Sequence, residues 1–322
     1  MKSSRSFPTP IDALLLLMIL IWGSNYSIVK AALSQIPPLP FNSLRLSLAS
    51  LLFLASLAVT GGPKNPAGVG GRRGWRAFPS ARAVSGRDWL AIAVLGAIGH
   101  FLYQMCFVGG VARTSVSNVS LILGTSPVAV AMLSSAVGHE QVNRRHWIGG
   151  VLSVGGVYLV AGRGASLSGQ TLVGDLLAVC AVLCWTVYTV AARSLLERHP
   201  PLVVTGYTMA IGAVLYVPFG LSGLRALDWG SVGPGAWSGL VFSAVFALYV
   251  AYLAWHTAVQ RIGNLRTSVY SNMLPVLAMV IAAIWLNEEI TGSKVVGASA
   301  ILAGVGITRI DAARSAPVPP EE

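Results

Sequence analysis

Residues 12–38 and 175–201 are two versions of one pattern. The first reads DALLLLMILIWGSNYSIVKAALSQIPP and the second DLLAVCAVLCWTVYTVAARSLLERHPP. Asp12 aligns with Asp175, Trp22 with Trp185, Lys30 with Arg193 and Pro37-Pro38 with Pro200-Pro201, all at one offset of 163 and without a gap. Each copy is an apolar run of helical length. An acid precedes it, a cation lies near its end and a double proline follows. Such self-similarity restricts the fold strongly, because both halves must be able to adopt the same plan.

Further along, the offset changes. Trp89 aligns with Trp237, Arg113 with Arg261, Pro127 with Pro275, Glu140 with Glu288 and Gly149 with Gly297, all at 148. The first half therefore carries 15 extra residues, placed between its second and third apolar runs. That stretch reads GGPKNPAGVGGRRGWRAFPSARAVSGR and is expected to be a flexible basic loop over about 61–87. Its GVGGRRG lacks the Lys-Ser/Thr of a phosphate loop and has no strand before it.

The chain is 54% hydrophobic and only 10% charged. Soluble domains carry about 25% charged residues, so most of this surface must face lipid. Ten apolar runs are expected at about 11–33, 41–60, 88–111, 117–137, 145–162, 173–193, 202–222, 235–258, 266–286 and 294–309. They read as helices, since open strands do not exist in hydrocarbon. The fold class is thus an all-α integral membrane protein of ten transmembrane helices. One five-helix repeat spans 11–162 and the other 173–309, with a disordered tail at 310–322. Five spans is an odd number, so the second copy should lie inverted relative to the first. The glycine-rich fifth and tenth spans are expected to pack within or between the halves, or to form a homo-oligomer contact.

Net charge is +11, and the cations sit between the apolar runs. With the N-terminus cytoplasmic, sixteen of the 22 Lys and Arg fall on the cytoplasmic side. That positive-inside bias places both termini in the cytoplasm and the chain in the inner (plasma) membrane. The partners expected are the lipid bilayer and a small-molecule substrate; nucleic acid is excluded because basic patches interleaved with aromatics are missing. Cys106, Cys180 and Cys184 lie inside apolar runs and read as packing residues, without the ligands of a metal site. No cofactor is expected. The N-terminal run continues past Trp22 to about Leu33 without a small-residue cleavage site, so it reads as a retained span rather than a signal peptide.

Few polar groups lie inside the runs, and these are the candidate site residues. His100, Tyr103 and Gln104 share one face of the third span; Tyr249, Tyr252 and His256 share one of the eighth. The first span offers Trp22, Asn25 and Tyr26, and the sixth Trp185 and Tyr188. The fourth has Gly124 and Ser126 before Pro127, and the ninth Ser271 and Asn272 before Pro275. Paired prolines in corresponding helices point to a transport site, and Pro127 and Pro275 are the expected hinges. Glu140 and Glu288 are assigned a gating or structural role, such as capping the next helix or holding a loop. Asp12 and Asp175 read as partners of helix dipoles. Arg45 either snorkels from the outer end of the second span or attracts an anionic group.

At this point WGSNYSIVK and IPPLPFNSLRLSLA resemble the opening of EamA-type members of the drug/metabolite transporter (DMT) superfamily. VARTSVSNVSLILGTSPVAVAMLSSAVGHE and RIGNLRTSVYSNMLPVLAMVIAAIWLNEEITGSKVVGASAILAGVGI resemble that family's two copies of a small-polar run, proline, apolar run, Gly-Glu and small-rich helix. His139 and Asn287 stand where the family's Gly precedes the Glu. The resemblance covers about 11–309 and implies two inverted five-helix repeats, a cavity shared by both, and export of small metabolites. In the YddG-like branch these are amino acids. There the cavity lies beside the third, fourth, eighth and ninth helices, here His100, Tyr103, Gly124, Ser126, Tyr249, Tyr252, Ser271 and Asn272. That branch has aromatics before the fourth-helix proline, where this chain has Gly124 and Ser126.

The expected function is a secondary exporter of amino acids or related metabolites working by alternating access, and not an enzyme. Proton coupling through His100 or His256 and simple facilitation both stay open. The alternatives are a passive channel for small polar solutes or a membrane-embedded enzyme. For the enzyme, Gly220-Leu221-Ser222-Gly223 is a short match to intramembrane serine proteases, with His256 as the conceivable base.

Overall fold

The computed structural model describes residues 10–60, 84–137, 144–163, 169–271 and 273–314. Among them every element is helical. The first repeat holds α1 (Pro10–Ala32), α2 (Pro38–Thr60), α3 (Gly86–Gly96), α4 (Tyr103–Arg113), α5 (Val116–Leu123), α6 (Ser126–Ala136) and α7 (Arg144–Arg163). The second holds α8 (Gly169–Leu196), α9 (Pro201–Ala226), α10 (Pro234–Phe242), α11 (Ala251–Ser271), α12 (Met273–Trp285) and α13 (Gly292–Arg314). Among the described residues, seven helical runs are long and apolar enough to cross a bilayer: Pro10–Ala32, Pro38–Val59, Gly86–Arg113, Val116–Ala136, Thr171–Leu196, Pro201–Ala226 and Pro234–Ile262. Large apolar side chains such as Leu51, Leu90, Val151, Val214 and Ile284 are exposed, as expected where the surrounding solvent is hydrocarbon.

Local sequence explains most boundaries. The double prolines end one helix and start the next, with Pro38 and Pro201 each opening a helix, where a missing N–H costs nothing. In α1, Asp12 lies in the first turn and Lys30 in the last, matching the helix dipole. Ser85 caps α3 by accepting from the Asp88 amide at 3.1 Å. Ser115 caps α5 in the same way, accepting from the Asn118 amide at 3.0 Å.

One expected boundary is absent. Sequence analysis places a turn between about 258 and 266, yet α11 runs unbroken from Ala251 to Ser271. The reason lies in the repeat itself. Arg113 ends α4, and the cap residue Ser115 restarts the chain as α5. The residue in register with Ser115 is Gly263, which has no side chain to cap a new helix. No proline lies between Ala251 and Ser271, and a glycine alone costs only about 1 kcal/mol in a helix.

Repeat mates pack on one another: α7 lies along α13, and α2 along α9. Small residues allow both contacts. A Cβ on Gly156 would stand 2.7 Å from the Gly297 carbonyl oxygen, and one on Gly220 would meet Ser43 Oγ at 2.1 Å. The glycine-rich helices α7 and α13 thus meet between the halves. The repeat extends to backbone irregularity. A π-helical turn at Ala97–Leu102 joins α3 to α4, and another at Ser243–Val250 joins α10 to α11, overlapping in the 148-residue register. Such turns free backbone carbonyls and occur often at functional sites.

Glu140 and Asn272 lie outside the described residues, as do 61–83 of the basic loop and 315–322 of the tail. Helix α13 continues past the predicted end at 309 to Arg314.

Candidate functional site

The two half-helices α5 and α6 meet at Gly124–Thr125, so the fourth span is broken rather than bent. Pro127 stands in the first turn of α6 and has no amide to leave unpaired there. Across from this break lies Pro275, the repeat mate of Pro127, whose Cγ would be 2.4 Å from a Cβ on residue 124. The break borders a cavity of about 90 Å³. Trp22, Asn25 and Tyr26 of α1, Arg45 of α2, Tyr103, Gln104 and Phe107 of α4, and Ser120 and Leu123 of α5 line it. So do Gly124, Ser126, Pro127 and Val130, Trp185 and Thr189 of α8, Ala247 and Leu248 of the second π turn, Tyr252, Trp255 and Ser271 of α11, and Leu274 of α12. Both repeats contribute.

An aromatic cluster forms one wall. The repeat mates Trp22 and Trp185 meet edge to face with ring centroids 5.9 Å apart. Tyr252 lies 5.6 Å from Trp22 and 5.7 Å from Trp185, and Trp255 completes the group at 5.8 and 5.9 Å. Trp22 is further fixed by its indole N–H, which donates to the Ala247 carbonyl at 2.9 Å. That carbonyl sits in the π turn, so the irregular backbone of one half holds an aromatic of the other.

Of the residues singled out in the sequence, Trp22, Asn25, Tyr26, Tyr103, Gly124, Ser126, Trp185, Tyr252 and Ser271 come together around the cavity, with the hinge residue Pro127. His100, Tyr188 and His256 are not lining residues; they form a buried group packed against the wall residues Tyr252 and Trp185. His100 Nε2 lies 3.2 Å from the Tyr188 hydroxyl, and His256 Nδ1 lies 2.7 Å from Thr205 Oγ1. The Tyr188 ring stands between the two imidazoles, at 5.1 and 5.7 Å. Gly99 makes this possible, since a Cβ there would fall 2.2 Å from the Tyr188 ring. Tyr249 turns towards α2, where its hydroxyl and Ser56 Oγ are 2.7 Å apart.

Arg45, Phe107 and Trp255 are among the lining residues that the polar-face reading does not select. Phe107 and Trp255 carried a signal: they follow Tyr103 and Tyr252 at helical spacings of four and three. Arg45 is 1% exposed, so it does not snorkel.

The acidic residues tie the halves together at the ends of the bundle. Glu288 caps α5 of the other repeat, not the helix that follows it. Its carboxylate accepts from the amides of Val116 at 2.7 Å and Ser117 at 3.1 Å, and from Ser117 Oγ at 2.7 Å. Asn287 makes the turn that delivers it, at φ 53°, a left-handed conformation that Asn tolerates better than most residues. Nearby, Asp175 accepts from Thr114 Oγ1 at 2.7 Å and from Asn118 Nδ2 at 3.2 Å. Lys30 donates to the carbonyls of Val111 and Thr114 at 2.7 and 2.8 Å. At the opposite end Tyr270 donates to Asp12, and Asp88 pairs with Arg198 at 2.7 Å and His199 at 3.0 Å. Ser222 and His256 do not approach one another. Ser222 is exposed, and Thr205, the partner of His256, lies about 25 Å away along α9 at 1.5 Å per residue.

Comparison with known proteins agrees with this architecture. A transporter of Bacillus subtilis, YyaM, itself uncharacterised, is 28% identical over 295 residues, covering 89% of this chain and 91% of that protein. A probable terminal-alkyne amino-acid exporter of Streptantibioticus cattleyicolor is 26% identical over 293 residues, covering 90% of each. A probable amino-acid metabolite efflux pump of Salmonella typhimurium is 23% identical over 303 residues, covering 91% and 93%. A solved crystal structure shares the fold with a TM-score of 0.64 at 20% identity, over 94% of this chain and 98% of the other. The EamA-like transporter family model matches residues 9–162 and again 172–310, once for each repeat. A multi-pass helical chain built from two such units, with a cavity lined by both, belongs to the EamA-like transporter family.

Proposed function

We propose that the chain is a secondary transporter that exports amino acids or related small metabolites across the cytoplasmic membrane by alternating access. One observation carries this reading: the cavity is walled by repeat mates from both halves, Trp22 and Trp185, at the point where the α5–α6 helix breaks. A site shared by two repeats can open to either side as they rock. The names of the Streptantibioticus and Salmonella relatives, an amino-acid exporter and an amino-acid metabolite efflux pump, support amino acids as the substrate class. The cavity volume of about 90 Å³ favours a small solute, since drug-sized ligands need roughly 300 Å³ or more.

The arrangement is ten helices in two inverted repeats of five, with both termini cytoplasmic. Inversion is supported by where the first helices meet. Lys30, at the end of α1, bonds to Thr114, and Thr114 bonds to Asp175, near the start of α8. Helix α1 thus ends where its mate begins. Orientation is supported by the sixteen of 22 Lys and Arg on one side. In this scheme the Lys30, Asp175 and Glu288 contacts close the outer side and part when the cavity opens outwards. Pro127 and Pro275 supply the flexible points.

The test is reconstitution into liposomes with a panel of radiolabelled amino acids, with and without a pH gradient. Saturable flux of at least one amino acid is expected. Linear, non-saturating flux would replace the transporter by a channel, and no flux for the whole panel would remove the amino-acid reading.

A further inference from the structure

Among the described residues, Arg45 is the one charged side chain lining the cavity, and none of the lining residues described is a carboxylate. It is 1% exposed. Its partners are all neutral. Nε donates to Asn42 Oδ1 at 2.9 Å, Nη1 to Ser243 Oγ at 2.9 Å, and Nη2 to Gln104 Oε1. The rings of Phe41 and Phe107 each lie 5.8 Å from its Cζ. Burying a charge is costly unless a counter-charge accompanies it. A membrane interior makes this more severe, and ionisable residues retained there face functional cavities.

The geometry goes further than an unpaired charge. A guanidinium has five N–H donors, two on each terminal nitrogen. Here each terminal nitrogen has one protein acceptor, which leaves a second hydrogen on both. Two free donors on one planar fork match the two oxygens of a carboxylate. The fork is held from both repeats, by Gln104 of the first and by Ser243, the first residue of the π turn, of the second. It is therefore preorganised, and either half moving would disturb it.

We propose that Arg45 is the receptor for the carboxylate of the transported solute. The substrate class is then a small carboxylate, with the amino group of an amino acid left to the aromatic faces of Trp22, Trp185 and Tyr252, which attract cations. This rests on the export reading above but names the chemistry that the site selects. In the repeat, Thr208 is the mate of Arg45, so the charge is a property of one half alone and was not produced by the symmetry.

The experiment compares acids with their carboxamides on the purified full-length protein. Thermal stabilisation in detergent reads binding without requiring transport, and liposome counterflow reads flux. The panel is the proteinogenic amino acids, the matching carboxamides and the decarboxylated amines. Acids should bind roughly 10- to 100-fold more tightly than their amides, the range of a charge-assisted hydrogen bond. R45M should remove that preference by weakening the acid while leaving the amide unchanged. R45K should keep part of it. Equal binding of acid and amide by the unaltered protein would overturn the proposal, and needs no variant that could misfold. So would R45M weakening acid and amide alike, because Arg45 would then be a structural brace. Saturable flux of amides or amines without acid preference would overturn the carboxylate site and leave the export reading. Acid-selective stabilisation without flux would uphold the site and remove the export reading.

Discussion

The ring of Pro275 occupies the space beside Gly124 that any side chain there would need. A Cβ at 124 would lie 2.4 Å from Pro275 Cγ. The proline of one repeat thus rests on the helix break of the other, where the break lines the cavity. Gly124→Ala should destabilise the protein by about 1–3 kcal/mol through overpacking and slow transport at least tenfold. Gly124→Ala combined with Pro275→Ala should recover part of the stability, since the second change removes the clashing Cγ. Thermal unfolding in detergent with liposome flux for all three variants checks this.

Glu288 holds the start of α5 through two backbone amides and one hydroxyl. Glu288→Ala leaves those amides without their cap, at a cost of about 1–2 kcal/mol. If this contact closes the outer side, a cysteine placed at Ser120 should become several times more reactive to a membrane-impermeant thiol reagent added outside. Unchanged labelling would show that the cap stabilises α5 without gating. The native cysteines Cys106, Cys180 and Cys184 should first be replaced.

Trp22→Phe keeps an aromatic ring against Trp185 and Tyr252 but loses the indole N–H to Ala247. Losing one such bond costs about 1 kcal/mol, so folding should survive. Substrate affinity should fall several-fold, because the ring is no longer fixed against the π turn. Trp185, the repeat mate, shares the wall without that bond in the described contacts, and Trp185→Phe should have the smaller effect. Competition binding on both variants compares them.

Asp175 accepts from both Thr114 and Asn118 and lies 3% exposed. Asp175→Ala strands two buried donors and should cost about 2–4 kcal/mol. Asp175→Asn keeps one acceptor oxygen and should cost less than half as much. Denaturation midpoints order the two variants.

Much of this molecule was legible in its residues. Low charge and helix-length apolar runs pointed to a membrane-embedded helical chain, because a run of about 20 apolar residues can satisfy its own backbone in hydrocarbon as a helix. The two offsets paired the helices and located the basic insertion. Polar and aromatic residues at helical spacing selected Trp22, Tyr103, Trp185 and Tyr252, since sharing a face is a local property. Packing between elements was not legible. His100, Tyr188 and His256 have the same local character as the lining residues, yet they face one another and do not line the cavity. Which face a helix turns inwards is decided by its neighbours, here by Gly99 yielding to the Tyr188 ring. The break expected within 259–265 is absent because a cap present in one repeat is missing from the other. Glu288 reads in the sequence as a gating or structural residue, such as a cap for the helix that follows it, but the helix it caps is 171 or more residues away. Arg45 read equally as a snorkelling or an anion-binding cation. Sequence determined that a charge lies in the second span; only the tertiary structure decided that it is buried, braced by both repeats and beside a cavity, with one protein acceptor on each terminal nitrogen. Charge is written in the chain, but desolvation and the direction of a donor depend on everything packed around it.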